Sequence, residues 1–327
     1  MKKFVSLVSL LAALALTLTA CGNTPSADST TDHVYKIGIS QFAQHASLDN
    51  CLDGFLQGLE KAGLQEGVDY ETHIQNANSD TALAGQIGLG FSAENVDLMV
   101  GIATPSAVAC YAAAESQDIP VVFTAITDPV GAKLDSGNIT GTSDVLPVEA
   151  QLKLIRQLQP DADTIGLVYT TDEPNSVYSV GVYEEMAADY GFTMDTIGIS
   201  AQSEVAQAVD TLLSHGVDCL TNITDNNVTG VLPSTLEKAT EAGIPVYGSE
   251  VEQMKLGCVA GAGLDYVQLG IQTGEMAAKI LRGETTCAEL PYEIIEQYEL
   301  YINSQALSTL QITVPEEVLS AATDTNA

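Results

Sequence analysis

Short apolar runs rich in valine and isoleucine alternate along the chain with longer stretches whose apolar residues recur at helical spacing. That alternation is the signature of parallel strands joined by crossover helices. The spacing predicts strands over residues 34–40, 70–75, 97–102, 121–125, 164–169, 193–199, 218–223, 245–247, 258–261 and 292–298. Between them it predicts helices over 48–62, 81–95, 105–116, 147–158, 177–190, 204–215, 232–241 and 266–281. Gly63, Gly191, Gly216 and Gly243 stand where a helix C-cap glycine is expected.

The second half echoes the first in order. Lys36-Ile37-Gly38-Ile39-Ser40 matches Ile165-Gly166-Leu167-Val168-Tyr169, Val96-Asp97-Leu98-Met99-Val100 matches Val217-Asp218-Cys219-Leu220-Thr221, and Asp118-Ile119-Pro120-Val121 matches Gly243-Ile244-Pro245-Val246, at offsets of 129, 121 and 125 residues. Preserved order at a nearly constant offset predicts an α/β fold of two doubly wound parallel-sheet lobes. Such lobes bind ligands at the carboxyl ends of their strands, so two of them facing each other enclose a cleft. The segments after the strands are the polar ones: 41–49, 103–106, 124–129, 170–176, 224–226 and Ser249-Glu250.

The first twenty residues read as an export signal, with Lys2 and Lys3 ahead of an apolar run. Leu18-Thr19-Ala20-Cys21 resembles the bacterial lipobox, which makes Cys21 the lipidation site and residues 21–32, rich in Ser, Thr and Asn, a flexible tether. The expected location is outside the cell, anchored by lipid on the outer face of the cytoplasmic membrane, or in a periplasm. Five further cysteines, Cys51, Cys110, Cys219, Cys258 and Cys287, are too scattered and odd in number to spell a disulfide framework. With 43 acidic against 11 basic residues, the chain would repel nucleic acid.

The strand-end segments also carry a family likeness. Ser40-Gln41-Phe42 with His45 and Leu48-Asp49, then Ile102-Ala103-Thr104-Pro105, the run from Phe123 through Thr127-Asp128-Pro129 to Ala132, Asn138 to Asp144, Thr224-Asp225-Asn226 and Gly263-Leu264-Asp265-Tyr266 resemble the substrate-binding lipoproteins of ABC transporters of the TrpX type. The resemblance implies a periplasmic-binding-protein type I fold with a three-segment hinge and an ABC permease as membrane partner. For some members it implies an aromatic amino acid as ligand. With crossings near Asp144, Gly248 and beyond Thr286, the expected lobes are 33–144 plus 249–286 and 145–248 plus 287–327.

Past the signal there are two arginines, Arg156 and Arg282, each on a helix that reads as solvent-facing, so an arginine clamp on a ligand carboxylate is not expected. Thr104-Pro105-Ser106 at a helix start offers amides and hydroxyls instead, with N-capping as the competing role. Asp128, Glu173, Asp225 and Glu250 are the candidate partners of an ammonium group; Asp225 leads because its counterpart in the first half is Thr104, and Asp128 doubles as a turn residue. Phe42, Tyr169 and Tyr266 are candidate stacking faces or core, and Thr127, Asn175, Ser176, Asn226, Ser249 and Asp265 complete the expected lining.

His45 lies near the cleft, where capping or packing outweighs ligand contact; the other histidines show no ligand spacing, so neither metal nor cofactor is expected. No phosphate loop or nucleophile elbow appears, and an enzyme is not expected. The leading expectation is therefore hinge closure on an amino acid. A nucleoside, sugar or other neutral ligand, or a receptor-linked sensor, are the alternatives.

Overall fold

The computed structural model describes residues 33–295 and 297–326. The leader, the tether and Cys21 lie outside the described residues. The chain enters a first lobe through β1 (Tyr35–Gln41), α1 (Ala46–Lys61), β2 (Tyr70–Asn76), α2 (Thr81–Glu94), β3 (Leu98–Ile102), α3 (Thr104–Ala114), β4 (Val121–Thr124) and β5 (Ile139–Ser143). It then builds a second lobe from α4 (Val148–Leu158), β6 (Thr164–Thr170), α5 (Pro174–Met186), β7 (Thr193–Ile199), α6 (Val205–His215), β8 (Cys219–Thr221), α7 (Asn226–Gly230), α8 (Leu232–Glu241), β9 (Val246–Tyr247), α9 (Val251–Leu256) and β10 (Ala260–Gly263). It returns to the first lobe for α10 (Tyr266–Leu281) and β11 (Glu293–Ile294), and ends in the second with β12 (Glu299–Ile302), α11 (Ser304–Thr309), α12 (Glu316–Ala321) and β13 (Ala322–Asp324).

The first sheet runs β11-β5-β4-β3-β1-β2 and the second β7-β6-β8-β9, parallel throughout. Aligned on their central strands, β1 with β6, β3 with β8 and β4 with β9, the two orders coincide, and these are the pairs that the internal repeat matched. Val259 N–H donates to Val246 O at 2.8 Å and Gly248 N–H to Ala260 O at 3.0 Å, which attaches β10 to β9 and, through it, the β10-β12-β13 ladder to the second lobe. The four C-cap glycines take left-handed φ of 87°, 76°, 81° and 72° at Gly63, Gly191, Gly216 and Gly243.

The ladders move two of the expected lobe boundaries. Residues 249–263 belong to the second lobe, because β10 bonds β9 and β12, and β11 belongs to the first, because it pairs with β5. The crossings therefore lie at Asp144, at Leu264-Asp265, and between Ile295 and Glu299. Of the strand expected over 292–298, Glu293–Ile294 is β11 of the first lobe and the second-lobe strand β12 begins only at Glu299, and β5 is a strand that apolar spacing does not predict. Its Thr140, Thr142 and Ser143 are buried, and Thr142 shares its hydroxyl with Thr124 at 3.2 Å and Thr273 at 2.7 Å.

Helices α1 and α10 pack backbone to backbone over Gly54, Gly58, Gly270 and Gly274, where an added Cβ would run into an opposing carbonyl. This contact fixes the start of α1 beside the hinge. Arg156 is not solvent-facing as expected: it donates to the carbonyls of Pro160, Ala162, Tyr190 and Gly191 and lies 3.9 Å over the Phe192 ring, tying α4 to the end of α5. All five described cysteines are free and buried, and no helix among the described residues is long and apolar enough to cross a membrane.

Candidate functional site

The strand ends of the two lobes meet. His45 Nε2 lies 3.3 Å from Asn226 Oδ1, Asn50 Nδ2 donates to Glu252 Oε1 at 2.6 Å, and the hydroxyls of Thr127 and Thr224 stand 3.5 Å apart, each pair bridging first lobe to second. Between them is a narrow gap with a cavity volume of about 10 Å³, so the lobes stand closed on one another and must part to admit a ligand. Its walls are His45, Leu48, Ala103, Ala125, Thr127, Asp144 and Tyr266 from the first lobe and hinge, and Asn175, Thr224, Asn226 and Glu250 from the second.

Two lining residues are strained. Ala103, between β3 and α3, has φ 73° and ψ 154°, a region that glycine alone occupies with ease, and Ala125, just past β4, has φ 59°. Conformations of this kind cost about 1–3 kcal/mol each and gather at ligand clamps. Here they bring main chain, rather than a large side chain, to the cavity wall.

The electrostatics are unbalanced in one direction. Asp144 accepts from Thr127 Oγ1 at 2.9 Å and from Tyr266 Oη at 2.6 Å, and Glu250 accepts from Gln253 Nε2 at 2.7 Å. Burial outweighs these neutral donors, pushing Asp144 up to about 6 and Glu250 up to about 8. Among the described residues no lysine or arginine is ion-paired with either. A desolvated carboxyl without a cation favours its neutral form or the arrival of a positive charge.

Of the predicted residues, Thr127, Asn175, Asn226 and Glu250 line the gap. Glu173 stands just behind, where its Oε2 accepts from Asn226 Nδ2 at 2.6 Å and from Asn226 N and Asn175 Nδ2 at 3.3 Å each; burial and the Asp225 charge push it up to about 8. Phe42 is buried in the first-lobe core and borders an outer crevice between the lobes. Thr104 and Ser249 are buried with unpartnered hydroxyls beside the gap-lining Ala103 and Glu250.

The remaining predicted residues are structural, and Asp225 is the main correction. Its carboxylate takes Thr170 N at 2.6 Å, Thr170 Oγ1 at 2.9 Å, Ser176 Oγ at 2.8 Å and Val228 N at 2.9 Å, so donors of its own lobe surround it and no face is left for an ammonium group. Ser176 is thereby a partner of Asp225, not of a ligand. Ser106 bonds Ser40 at 2.9 Å inside the first lobe. Asp128 caps its own turn at Gly131 N, 2.9 Å away, and Asp265 caps α10 through Val267 N and Gln268 N. Tyr169 packs on the second-lobe core.

Of the other seven lining residues, Leu48, Ala103, Ala125, Asp144 and Thr224 were not singled out as ligand contacts, His45 was expected to cap or pack, and Tyr266 was expected as a stacking face or core. Asp144 was legible as a hinge position, but its role depends on following β5, a strand without an apolar signal.

The match to known proteins covers the same ground. A family model described as ABC transporter substrate binding protein matches residues 36–326. A tyrosine-binding protein of Clostridioides difficile is 36% identical over 282 residues, covering 84% of this chain and 81% of that protein. The solved structure of an ABC domain in complex with L-Trp from Streptococcus pneumonia is 32% identical with a TM-score of 0.85, covering 89% of this chain and 99% of that one. The ligand-free, open structure of a substrate binding protein with adhesive properties from Clostridium difficile is 35% identical with a TM-score of 0.66, covering 89% and 100%. At nearly equal identity and coverage, this chain superimposes with the higher TM-score on the L-Trp complex and the lower on the ligand-free, open structure. On family model, fold and interlobe cavity together, the chain belongs to the substrate-binding proteins of ABC transporters.

Proposed function

We propose that this protein captures one aromatic amino acid between its lobes and presents the closed form to a membrane permease, while lipid on Cys21 holds it at the outer face of the membrane. The observation that carries the ligand class is the pair of buried carboxyls, Asp144 and Glu250, in a cavity that both lobes close. An ammonium group supplies the charge these acids lack. The ligand carboxylate faces the first turn of α3, whose free main-chain N–H groups begin beside the strained Ala103. Leu48, Ala103 and Ala125 offer apolar wall to a ring. The names of two relatives, one tyrosine-binding and one in complex with L-Trp, support the aromatic class.

Binding stabilises the closed lobes only through contacts absent when they part. The chemistry of the lining is that of capture: polar groups held by one another and by the fold, with no nucleophile and base in register, so turnover is not part of the proposal. Calorimetry against the twenty amino acids tests it. Saturable heat from at least one of tyrosine, tryptophan and phenylalanine is expected, and the absence of heat from all three overturns the reading. The chain contains no tryptophan, so tryptophan binding is also readable from the ligand's own emission.

A further inference from the structure

We infer that His45 is a hydrogen-bond acceptor for the ligand's ring, so that the site favours an aromatic amino acid with a ring hydroxyl or ring N–H over phenylalanine. This rests on the aromatic amino acid reading above and adds which rings the cavity takes.

The proton on His45 is assigned by a chain of contacts that crosses the cleft. Glu173 Oε2 accepts from the main-chain N and the Nδ2 of Asn226 and from Asn175 Nδ2. With its amide nitrogen turned to Glu173, Asn226 presents Oδ1 to His45 Nε2 at 3.3 Å. An amide oxygen can only accept, so Nε2 carries the proton. Burial lowers the imidazole pKa despite Asn226, Asp49 and Asp225, keeping the ring neutral and leaving Nδ1 as a bare lone pair.

That lone pair is buried and has no partner, although the ring lines the cavity. It does not cap α1, at whose N-terminus His45 stands. Across the gap, Asn175 donates Nδ2 to Thr224 O at 2.9 Å, which leaves its own Oδ1 buried and unpartnered. Two acceptors from opposite lobes therefore lack a donor. Neither acceptor is hydrogen-bonded to the acids, whose donors are Thr127, Tyr266 and Gln253. The acids suit the ammonium group. The two neutral acceptors suit a neutral donor on the ring.

The test is a ligand series on the unaltered protein, followed by His45→Leu. Tyrosine and tryptophan should bind tighter than phenylalanine and O-methyltyrosine by between about 5- and 150-fold, the effect of leaving buried acceptors unpaired. His45→Leu should collapse the tyrosine-to-phenylalanine ratio toward unity, and His45→Gln, which restores an acceptor, should recover part of it. Phenylalanine binding as tightly as tyrosine and tryptophan in the unaltered protein overturns the inference and leaves the aromatic amino acid reading intact. A ratio unchanged in His45→Leu overturns it too, as does equal weakening of all three ligands, which would place the ring's role in lobe closure. If none of the three binds the unaltered protein, the underlying reading fails, and this inference with it.

Discussion

At the end of β8, Asp225 is enclosed by two main-chain N–H groups and two hydroxyls of its own lobe. At the end of β5, Asp144 is just as buried but receives two hydroxyls, from Thr127 and Tyr266, and otherwise borders the gap. Both aspartates follow strands near the cleft, and both are candidates for an ammonium partner by position. The difference lies in donor supply. A carboxylate with a complete donor shell holds loops together, whereas one with a partial shell stays under-solvated until a cation comes to it.

The comparison is broken most severely at Asp225. Asp225→Ala strips the acceptor from several buried donors at once and should cost about 4 kcal/mol or more of stability, read as a lower urea midpoint. Asp144→Asn should do the opposite in kind. It keeps the shape, leaves unfolding at pH 7 unchanged or slightly improved, and weakens binding of the aromatic ligand by about 3 kcal/mol, roughly two orders of magnitude in Kd by calorimetry. A destabilised Asp144→Asn with intact binding would reverse the assignment.

The pH dependence sharpens the same contrast. An acid whose pKa is higher folded than unfolded binds its proton more tightly in the native state, so stability falls as pH climbs between the two values. Asp144, pushed up to about 6, and Glu250 and Glu173, pushed up to about 8, should make the unliganded protein lose stability as pH rises from about 4 to about 8. Asp144→Asn should flatten the part between pH 5 and 7 by about 1 kcal/mol, measurable as a smaller shift in Tm across that range. Smallest is Asn50→Ala, which removes one hydrogen bond between the lobes without touching either aspartate. It should weaken ligand binding by about 0.5–1.5 kcal/mol through easier opening, and show mainly as faster dissociation.

Much of the fold was legible because the doubly wound pattern writes itself in apolar runs: the strands over β1 to β4 and β6 to β9 and the long crossover helices stand within a few residues of their predicted spans. β5 was hidden because most of its buried side chains are threonine and serine; Thr142 bonds Thr124 and Thr273, while the hydroxyls of Thr140 and Ser143 have no partner. The close approach of α1 and α10 was hidden for a related reason, since glycines contribute no hydrophobic signal to a helix face. Within the site, Thr127, Asn175, Asn226 and Glu250 were found by the rule that ligands lie beyond strand ends. Asp128 and Asp265 met the same rule and proved to be caps, because short acidic side chains at strand-to-helix turns serve both purposes.

Apolar pattern and internal repeat were enough to give two equivalent lobes and the polar strand-end loops; the order of strands in each sheet came from the ladders. Which buried acid is saturated and which is exposed to the gap was decided by the tertiary structure alone. Thr170 and Ser176 reach Asp225 from 55 and 49 positions away, and Tyr266 reaches Asp144 from 122. Local pattern records where a carboxyl sits along the chain; its donors arrive from other strands, and only the folded ladders set which of them come within hydrogen-bonding distance.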